Sequence, residues 1–145
     1  MVSFRCEENR PIMKLITRDT DYAIRAVCFI AEEGKDIVSV GEMSRKLHIP
    51  RPFLRKILQV LNKNRLLRSY RGIGGGFSMA GRPESIYIVD IIRAFQGPLS
   101  LNECFLNKRI CPNRKSCALK DRIDGIEKSV VSEMKKITIG DLIKK

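Results

Sequence analysis

The 145-residue sequence lacks the features on which enzymes and membrane proteins depend. It contains one histidine, His48, and no paired carboxylates, nucleophile-base spacing or cofactor loop, so we do not expect it to be an enzyme. Its apolar runs are all shorter than the roughly 20 residues that cross a bilayer. The first residues, with Glu7, Glu8 and Pro11, lack the apolar region of a signal peptide. These absences predict a cytoplasmic protein with no membrane partner.

Cysteine is present in a pattern that does not suit a disulfide framework. The chain has five, an odd number with uneven spacing: Cys6, Cys28, Cys104, Cys111 and Cys117. In a reducing compartment such a set indicates a metal site before it indicates disulfides. The last three lie close together in the sequence, whereas Cys28 falls on the apolar face of a predicted helix and is expected to belong to the core.

Acidic residues are absent from one long stretch, from Met43 to Pro83. The whole chain carries a net charge of +12, from 28 Lys and Arg against 16 Asp and Glu. This excess indicates a polyanionic partner, such as nucleic acid or an acidic membrane surface, although composition alone fits a solvated face equally well. The acid-free stretch contains ten basic residues: Arg45, Lys46, Arg51, Arg55, Lys56, Lys63, Arg65, Arg68, Arg71 and Arg82.

The spacing of apolar residues predicts three successive helices in the first half of the chain. The first covers residues 20–33, and the second is a short helix that follows the capping residue Ser39 and ends near His48. The third begins at Pro52, where proline suits a helix start, and runs to about Asn64. One face of this third helix is expected to be buried: Phe53, Leu54, Ile57, Leu58 and Leu61.

Two short strands, at residues 66–70 and 77–79, are predicted to pair across a glycine-rich turn at residues 71–76. Helix, short helix, helix and hairpin is the order of a winged helix-turn-helix. The glycines could also belong to a nucleotide-binding loop, but such a loop needs a following Lys-Ser/Thr and a helix. The segment Phe77-Ser78-Met79 provides neither.

The second half of the chain predicts a fourth helix at residues 88–95, which Gly97-Pro98 ends, and then a polar loop. A long helix follows whose apolar positions approach a coiled-coil spacing. This seam is expected to meet a symmetry-related copy of the chain, or alternatively to pack on the chain's own domain. Its members are Leu119, Ile123, Ile126, Val130, Met134 and Ile137.

The predicted fold is therefore mainly α with a small β-wing, a winged helix-turn-helix plus a long C-terminal dimerisation helix. The length of 145 residues suits one compact domain with an appendage. Residues 1–12 are expected to be a disordered N-terminal extension, and residues 13–82 the DNA-binding domain. Residues 83–145 would hold the cysteine loop, 98–117, and the dimerisation helix.

The third helix supplies the predicted DNA-reading side chains. In a helix-turn-helix the second helix of the pair enters the major groove and leads with its N-terminal residues. The exposed basic residues there are Arg51, Arg55 and Lys56. Arginine can donate two hydrogen bonds to guanine, so Arg51 and Arg55 are candidates for base contacts, whereas Lys56 suits either a base or a phosphate.

The wing and the end of the third helix supply further predicted contacts. Arg71, beside the glycines, is a candidate for a narrow minor groove, while Lys63 and Arg68 would touch phosphates. The predicted partner is double-stranded DNA with a palindromic operator, bound by a homodimer. A basic RNA- or ribosome-associated module is the rival interpretation, and it would require neither a dimer nor a palindrome.

Three features together resemble the Rrf family of winged-helix regulators: the segment Thr20-Asp21-Tyr22-Ala23-Ile24-Arg25-Ala26, the segment from Arg71 to Phe77, and the late cysteines. This family includes the iron-sulfur cluster assembly regulator and the nitric-oxide-sensing repressor, and its members dimerise through a long helix after the wing. The resemblance implies that Cys104, Cys111 and Cys117 hold an iron-sulfur cluster, [2Fe–2S] or [4Fe–4S]. Zinc also accepts thiolates, and a loop that has lost its cluster is the alternative.

The chain departs from the cluster-assembly regulators at two positions. Lys120 stands where those proteins carry a histidine ligand, and Arg55 stands where they use a glutamate to discriminate bases, so their operator does not carry over. Nitric-oxide-sensing relatives use an aspartate supplied by the partner subunit. Asp21 stands at the matching place and is the implied fourth ligand, although a first-turn carboxylate that stabilises the helix dipole is the plainer interpretation. The expected signal is iron-sulfur status, oxygen, redox stress or nitric oxide.

Overall fold

The computed structural model describes residues 14–101 and 116–144. The N-terminal extension and most of the cysteine loop, including Cys104 and Cys111, lie outside these residues. In chain order the elements are α1 (Arg18–Glu33), α2 (Val40–Leu47), α3 (Arg51–Lys63), β1 (Leu67–Tyr70), β2 (Gly76–Met79), α4 (Ile88–Gln96), α5 (Ala118–Met134) and α6 (Ile139–Ile143), with a 3-10 turn at Pro83–Ser85. This order confirms the predicted, mainly helical, winged helix-turn-helix fold.

Local capping determines where α2 begins and ends. The Ser39 hydroxyl accepts a hydrogen bond from the Glu42 backbone N–H at 3.2 Å, which satisfies one otherwise unpaired helical donor. The Glu42 carboxylate does not complete the capping box, because it binds the Lys35 ammonium at 2.5 Å instead. At the other end His48 has a left-handed backbone (φ 54°), which closes the helix and turns the chain into α3.

The wing is a two-stranded antiparallel hairpin in which Leu67 pairs with Met79 and Tyr70 with Gly76. A third segment that the sequence did not predict joins it: Val38 and Phe77 exchange two backbone hydrogen bonds of 2.9 Å. A Cβ at Gly76 would lie 2.2 Å from the Val38 carbonyl oxygen. Glycine at this position therefore lets the wing attach to the segment in front of α2.

One hydrophobic core holds the helix-turn-helix to elements that follow the wing. Buried Ala26 and Leu58, from α1 and α3, belong to the same cluster as Ile91 of α4 and Ile139 of α6. The elements that follow the wing are therefore packed directly on the helices that precede it. None of the helices within residues 14–101 and 116–144 is long and apolar enough to span a membrane.

The predicted long seam is divided between two environments. Toward its C-terminal end Met134 is buried and packs with Val130 and Ile137 against α4. Toward its N-terminal end Leu119 is 69% exposed and Ile126 is 57% exposed. The seam therefore packs on its own domain at its C-terminal end, while its N-terminal end has large apolar side chains exposed, and its meeting with a second copy stays a prediction.

After α5 the chain turns back to the domain and forms a short helix, α6, which the periodicity did not predict. The Ile139 N–H donates to the Ile86 carbonyl at 2.8 Å, and the Ile88 N–H donates to the Ile137 carbonyl at 3.1 Å. A complete capping box starts α6. The Thr138 hydroxyl accepts from the Asp141 N–H at 3.1 Å, and the Asp141 carboxylate accepts from the Thr138 N–H at 2.9 Å.

Replacing Thr138 with alanine is expected to lower the free energy of unfolding by about 1 kcal/mol, because the buried hydroxyl caps α6. Hydrogen bonds from Thr138 lower the pKa of Asp141. The pKa of Asp141 in the folded protein is therefore below its value of about 4 in the unfolded chain, and the hydrogen bonds stabilise the fold above about pH 4. This stabilisation is lost as the pH falls through the lower, folded-state pKa. Urea unfolding at pH 7 and pH 3 measures both effects. Thr138→Ser should retain the cap, and an alanine variant as stable as wild type would contradict the assignment.

Candidate nucleic-acid interface and cysteine segment

Helix α3 has one buried apolar face and one exposed basic face. Leu54, Ile57, Leu58 and Leu61 are buried, so the intervening positions of the same helix face solvent. Three of these exposed residues are the predicted readers at its N-terminal end: Arg51, Arg55 and Lys56. Their placement agrees with the requirement that the leading residues of a recognition helix be accessible.

Arg51 lies against the first turn of α2. A Cβ placed on Gly41 would come within 2.7 Å of the Arg51 Nη2, so any larger residue there would displace the guanidinium. The sequence analysis assigned no role to Gly41.

The recognition helix and the wing form the walls of one cleft of about 690 Å³. Arg55 and Gln59 line it from α3, while Tyr70, Arg71 and Gly72 line it from the wing. Two predicted readers from separate elements, Arg55 and Arg71, are therefore brought to the same cavity. The sequence analysis missed Gln59 and Tyr70, because neither carries a charge that would mark it.

The other predicted contacts are accessible but lie outside this cleft. Lys63 is exposed at the last residue of α3, and Arg68 is exposed on β1. Among residues 14–101 and 116–144, the ion pairs use other cations, such as Arg25 and Lys35, and none involves a predicted DNA contact. The positive charge of α3 and the wing is therefore not neutralised within the described chain.

Of the three late cysteines, only Cys117 is among the described residues. It is partly buried and occupies the N-cap position of α5, where its side chain makes no capping hydrogen bond. Within residues 14–101 and 116–144, no group of three or more His, Cys, Asp or Glu side chains is arranged to hold a metal ion. The predicted ligands Cys104 and Cys111 lie outside this part of the chain.

Asp21 and Cys28 occupy different environments on α1. Asp21 stands in the first turn and is half-exposed, with its Oδ2 2.9 Å from the Arg25 Nε. Burial, and secondarily the charge of Glu32, raise the pKa of the Cys28 thiol to about 11. Because only the thiolate is a good metal ligand, Cys28 fits the core role that was predicted for it.

A hydrogen-bonded cluster ties the start of α1 to the end of α4. The Gln96 side-chain oxygen accepts from the Thr17 N–H at 2.9 Å and from the Thr20 hydroxyl at 2.7 Å. The Gln96 amide donates to the Leu15 carbonyl at 3.3 Å. The first turn of α1, which carries Asp21, is thus fastened where the chain leaves α4 for the cysteine segment. Sequence reasoning missed Gln96, since a single glutamine has no periodic signal.

The start of the cysteine segment is also held by α5. The Leu101 N–H donates to the Glu127 carboxylate at 2.9 Å, and the Ser100 hydroxyl lies 3.5 Å from the same oxygen. Leu101, which precedes residues 102–115, is therefore bonded to α5, and Cys117, which follows them after Ser116, is the N-cap residue of the same helix.

Comparison with known proteins gives one consistent answer. The family described as Rrf2, iron-dependent transcriptional regulator, matches residues 16–145. A protein of Aquifex aeolicus (strain VF5) described as an HTH-type transcriptional regulator is 32% identical over 124 residues, 84% of this chain and 86% of that protein. The HTH-type transcriptional regulator NsrR of Bacillus subtilis (strain 168) is 29% identical over 134 residues, 91% of each protein.

Solved structures of the same fold agree. CymR of B. subtilis, the global cysteine regulator, superimposes with a TM-score of 0.73 at 24% identity, covering 91% of this chain and 97% of CymR. IscR of T. potens gives a TM-score of 0.70 at 25% identity, covering 89% of this chain and 85% of that one. The family match covers most of the chain, and the exposed basic face of α3 and the wing agree with it. The chain therefore belongs to the Rrf2 family, which consists of DNA-binding transcriptional regulators and not of enzymes.

Proposed function

We propose that this regulator acts in the cytoplasm as a homodimer that binds a palindromic operator and changes its DNA affinity with the state of an iron-sulfur cluster. The observation that carries the DNA-binding part is the shared cleft, in which Arg55 of α3 and Arg71 of the wing face the same space. An element in the major groove and a wing beside it would contact one stretch of duplex together. Family membership favours DNA over the RNA-associated alternative.

The six basic residues divide into two proposed roles. Arg51 and Arg55 read bases in the major groove, with Lys56 contacting a base or a phosphate, and Arg71 enters the minor groove. Lys63 and Arg68 lie outside the cleft, and they contact phosphates. Base contacts give sequence preference, whereas phosphate contacts give affinity that falls with salt.

The N-terminal end of α5 is the proposed dimer interface. Large side chains such as Leu119 and Ile126 are exposed there, and the polar residues between them would keep the helix soluble until a second copy covers its apolar face. A two-fold axis through this contact would relate two α3 helices, which matches a palindromic site.

The proposed cluster ligands are Cys104, Cys111 and Cys117, with Asp21 from the partner subunit as the fourth. The donor chemistry fits, because thiolates are the usual ligands of iron-sulfur clusters, and the family is described as iron-dependent. The Asp21 Oδ2 is paired with Arg25, so ligation through the other carboxylate oxygen would not require that ion pair to open. When bound, the cluster would supply iron atoms whose ligation responds to oxidants, to nitric oxide or to iron-sulfur supply.

Anaerobic purification tests the cluster directly. Wild-type protein is expected to be coloured and to contain iron and acid-labile sulfide, and the Cys104→Ala/Cys111→Ala/Cys117→Ala variant is expected to be colourless and free of iron. Asp21→Ala should leave colour but shift the visible spectrum, since one ligand is replaced. Absorbance and elemental analysis are the measurements.

Cys28→Ala is the matched control, because its thiol is not a proposed ligand and the variant should keep its full iron content. Wild type without iron would overturn the cluster and favour a cluster-free winged-helix regulator. Zinc in place of iron would keep the cysteines as metal ligands but would also overturn the cluster.

A further inference from the structure

The tip of the wing presents an apolar side chain entirely to solvent. Ile73 has a relative exposure of 109%, well above that of Leu119, which is 69% exposed. It lies between Gly72 and Gly74, whose φ angles of 90° and 77° are in the region that favours glycine. The backbone of the tip therefore turns without any packing by Ile73, and nothing in residues 14–101 and 116–144 covers this side chain.

The position of the tip relative to α3 suggests what covers it. The cleft between α3 and the wing is lined by Arg71 and by Gly72, the residue directly before Ile73. A duplex seated along Arg55 and Gln59 of the same cleft would therefore meet the wing tip. No acidic residue in the stretch from Met43 to Pro83 opposes this approach.

We propose that Ile73 enters the minor groove of bound DNA beside Arg71 and makes the wing select A·T pairs by excluding the N2 amino group of guanine. The proposal rests on the DNA-binding part of the proposed function. In the minor groove A·T pairs present only acceptors, whereas G·C adds the guanine N2 amino donor. An apolar side chain pressed against that donor would leave it without a partner.

The two side chains of the tip favour the same sequences. A·T-rich minor grooves are narrow and concentrate negative potential, which attracts the Arg71 guanidinium. Isoleucine is among the apolar residues that wedge into the minor groove in other DNA-binding proteins, where they unstack a base step and bend the duplex. Arg71 would thus favour A·T pairs through electrostatic attraction, and Ile73 would favour them through apolar contact.

The test uses a duplex selected from random DNA by the full-length wild-type protein. Each A·T pair is replaced in turn by 2,6-diaminopurine·T, which adds an amino group in the minor groove and leaves the major-groove edge unchanged. Fluorescence anisotropy should show about a tenfold weaker affinity, equal to about 1.4 kcal/mol, at one or two pairs in each half-site. Ile73→Ala should remove this sensitivity and should itself bind the unmodified duplex several-fold more weakly.

Because Ile73 is fully exposed, the alanine variant is expected to unfold at the wild-type temperature. Leu142→Ala removes another exposed apolar side chain, on α6, and should keep the full diaminopurine sensitivity. A selected duplex whose diaminopurine profile is the same for wild type and Ile73→Ala overturns the proposal for Ile73 alone. Failure of wild type to select any sequence overturns the proposed DNA function and this proposal with it.

Discussion

Replacing Ile126 with glutamate should convert the protein to a monomer and weaken operator binding by at least about 100-fold, equal to about 2.7 kcal/mol. Ile126 is a large apolar residue of α5 that is 57% exposed. A carboxylate at this position would have to be buried without a partner, twice, in a symmetric interface, and a buried unpaired charge is strongly destabilising. A monomer would retain the contacts of only one half-site.

Light scattering after size-exclusion chromatography gives the mass, and anisotropy with a palindromic duplex gives the affinity. Lys128→Glu is the matched control, since two residues along a helix place its carboxylate nearly opposite Ile126. That variant should stay dimeric. A dimeric Ile126→Glu protein with unchanged affinity would show that α5 does not form the interface.

Replacing both Arg51 and Arg55 with alanine is the second change with a large expected effect. Each arginine that pairs bidentately with guanine discriminates by about 1 to 3 kcal/mol. The double variant should therefore lose on the order of 100-fold or more in affinity for the selected duplex. Its affinity for a scrambled duplex should fall much less, because the loss of base contacts removes preference before it removes attraction to phosphates. Titrations against both duplexes measure the ratio.

Two variants separate this effect from a general loss of charge. Arg93→Ala removes an exposed arginine of α4 that lies beside α5, and it should leave both affinities unchanged. Lys63→Ala should weaken binding to both duplexes equally and reduce the salt dependence by about one phosphate contact. Equal losses on both duplexes for the Arg51/Arg55 variant would assign those arginines to phosphates instead of bases.

The sequence was most informative where local pattern and packing agree. Helix α3 was predicted from Pro52 to about Asn64 and runs from Arg51 to Lys63, because its apolar face and its proline start describe a single amphipathic helix. The basic residues that follow from this placement are exposed as expected. Helices with a clear apolar period and a clear starting residue could thus be predicted without knowing which elements they pack against.

The features that the sequence did not reveal depend on distant partners. The Val38–Phe77 bridge joins residues 39 positions apart, and no local period records such a pairing. Helix α6 covers only Ile139–Ile143, too short for periodicity to separate it from the seam before it. Gln96 acts through hydrogen bonds to residues about 80 positions away. Long-range polar contacts of this kind become visible only once the chain is folded.

The way in which α5 is attached gives it the mechanics of a lever. Its C-terminal end is fixed to the domain through buried Met134 and the turn that follows, while its first residue adjoins Cys117. Seventeen residues at about 1.5 Å each make the arm roughly 25 Å long, so a tilt of about 5° at the fixed end moves the other end by roughly 2 Å. Conversely, a displacement at the N-terminal end of α5 produces only a small rotation at its fixed C-terminal end. A displacement of that size beside Cys117 would therefore reach the domain that carries α3 as a small rotation. In the proposed dimer, two such rotations would change the distance between the two α3 helices.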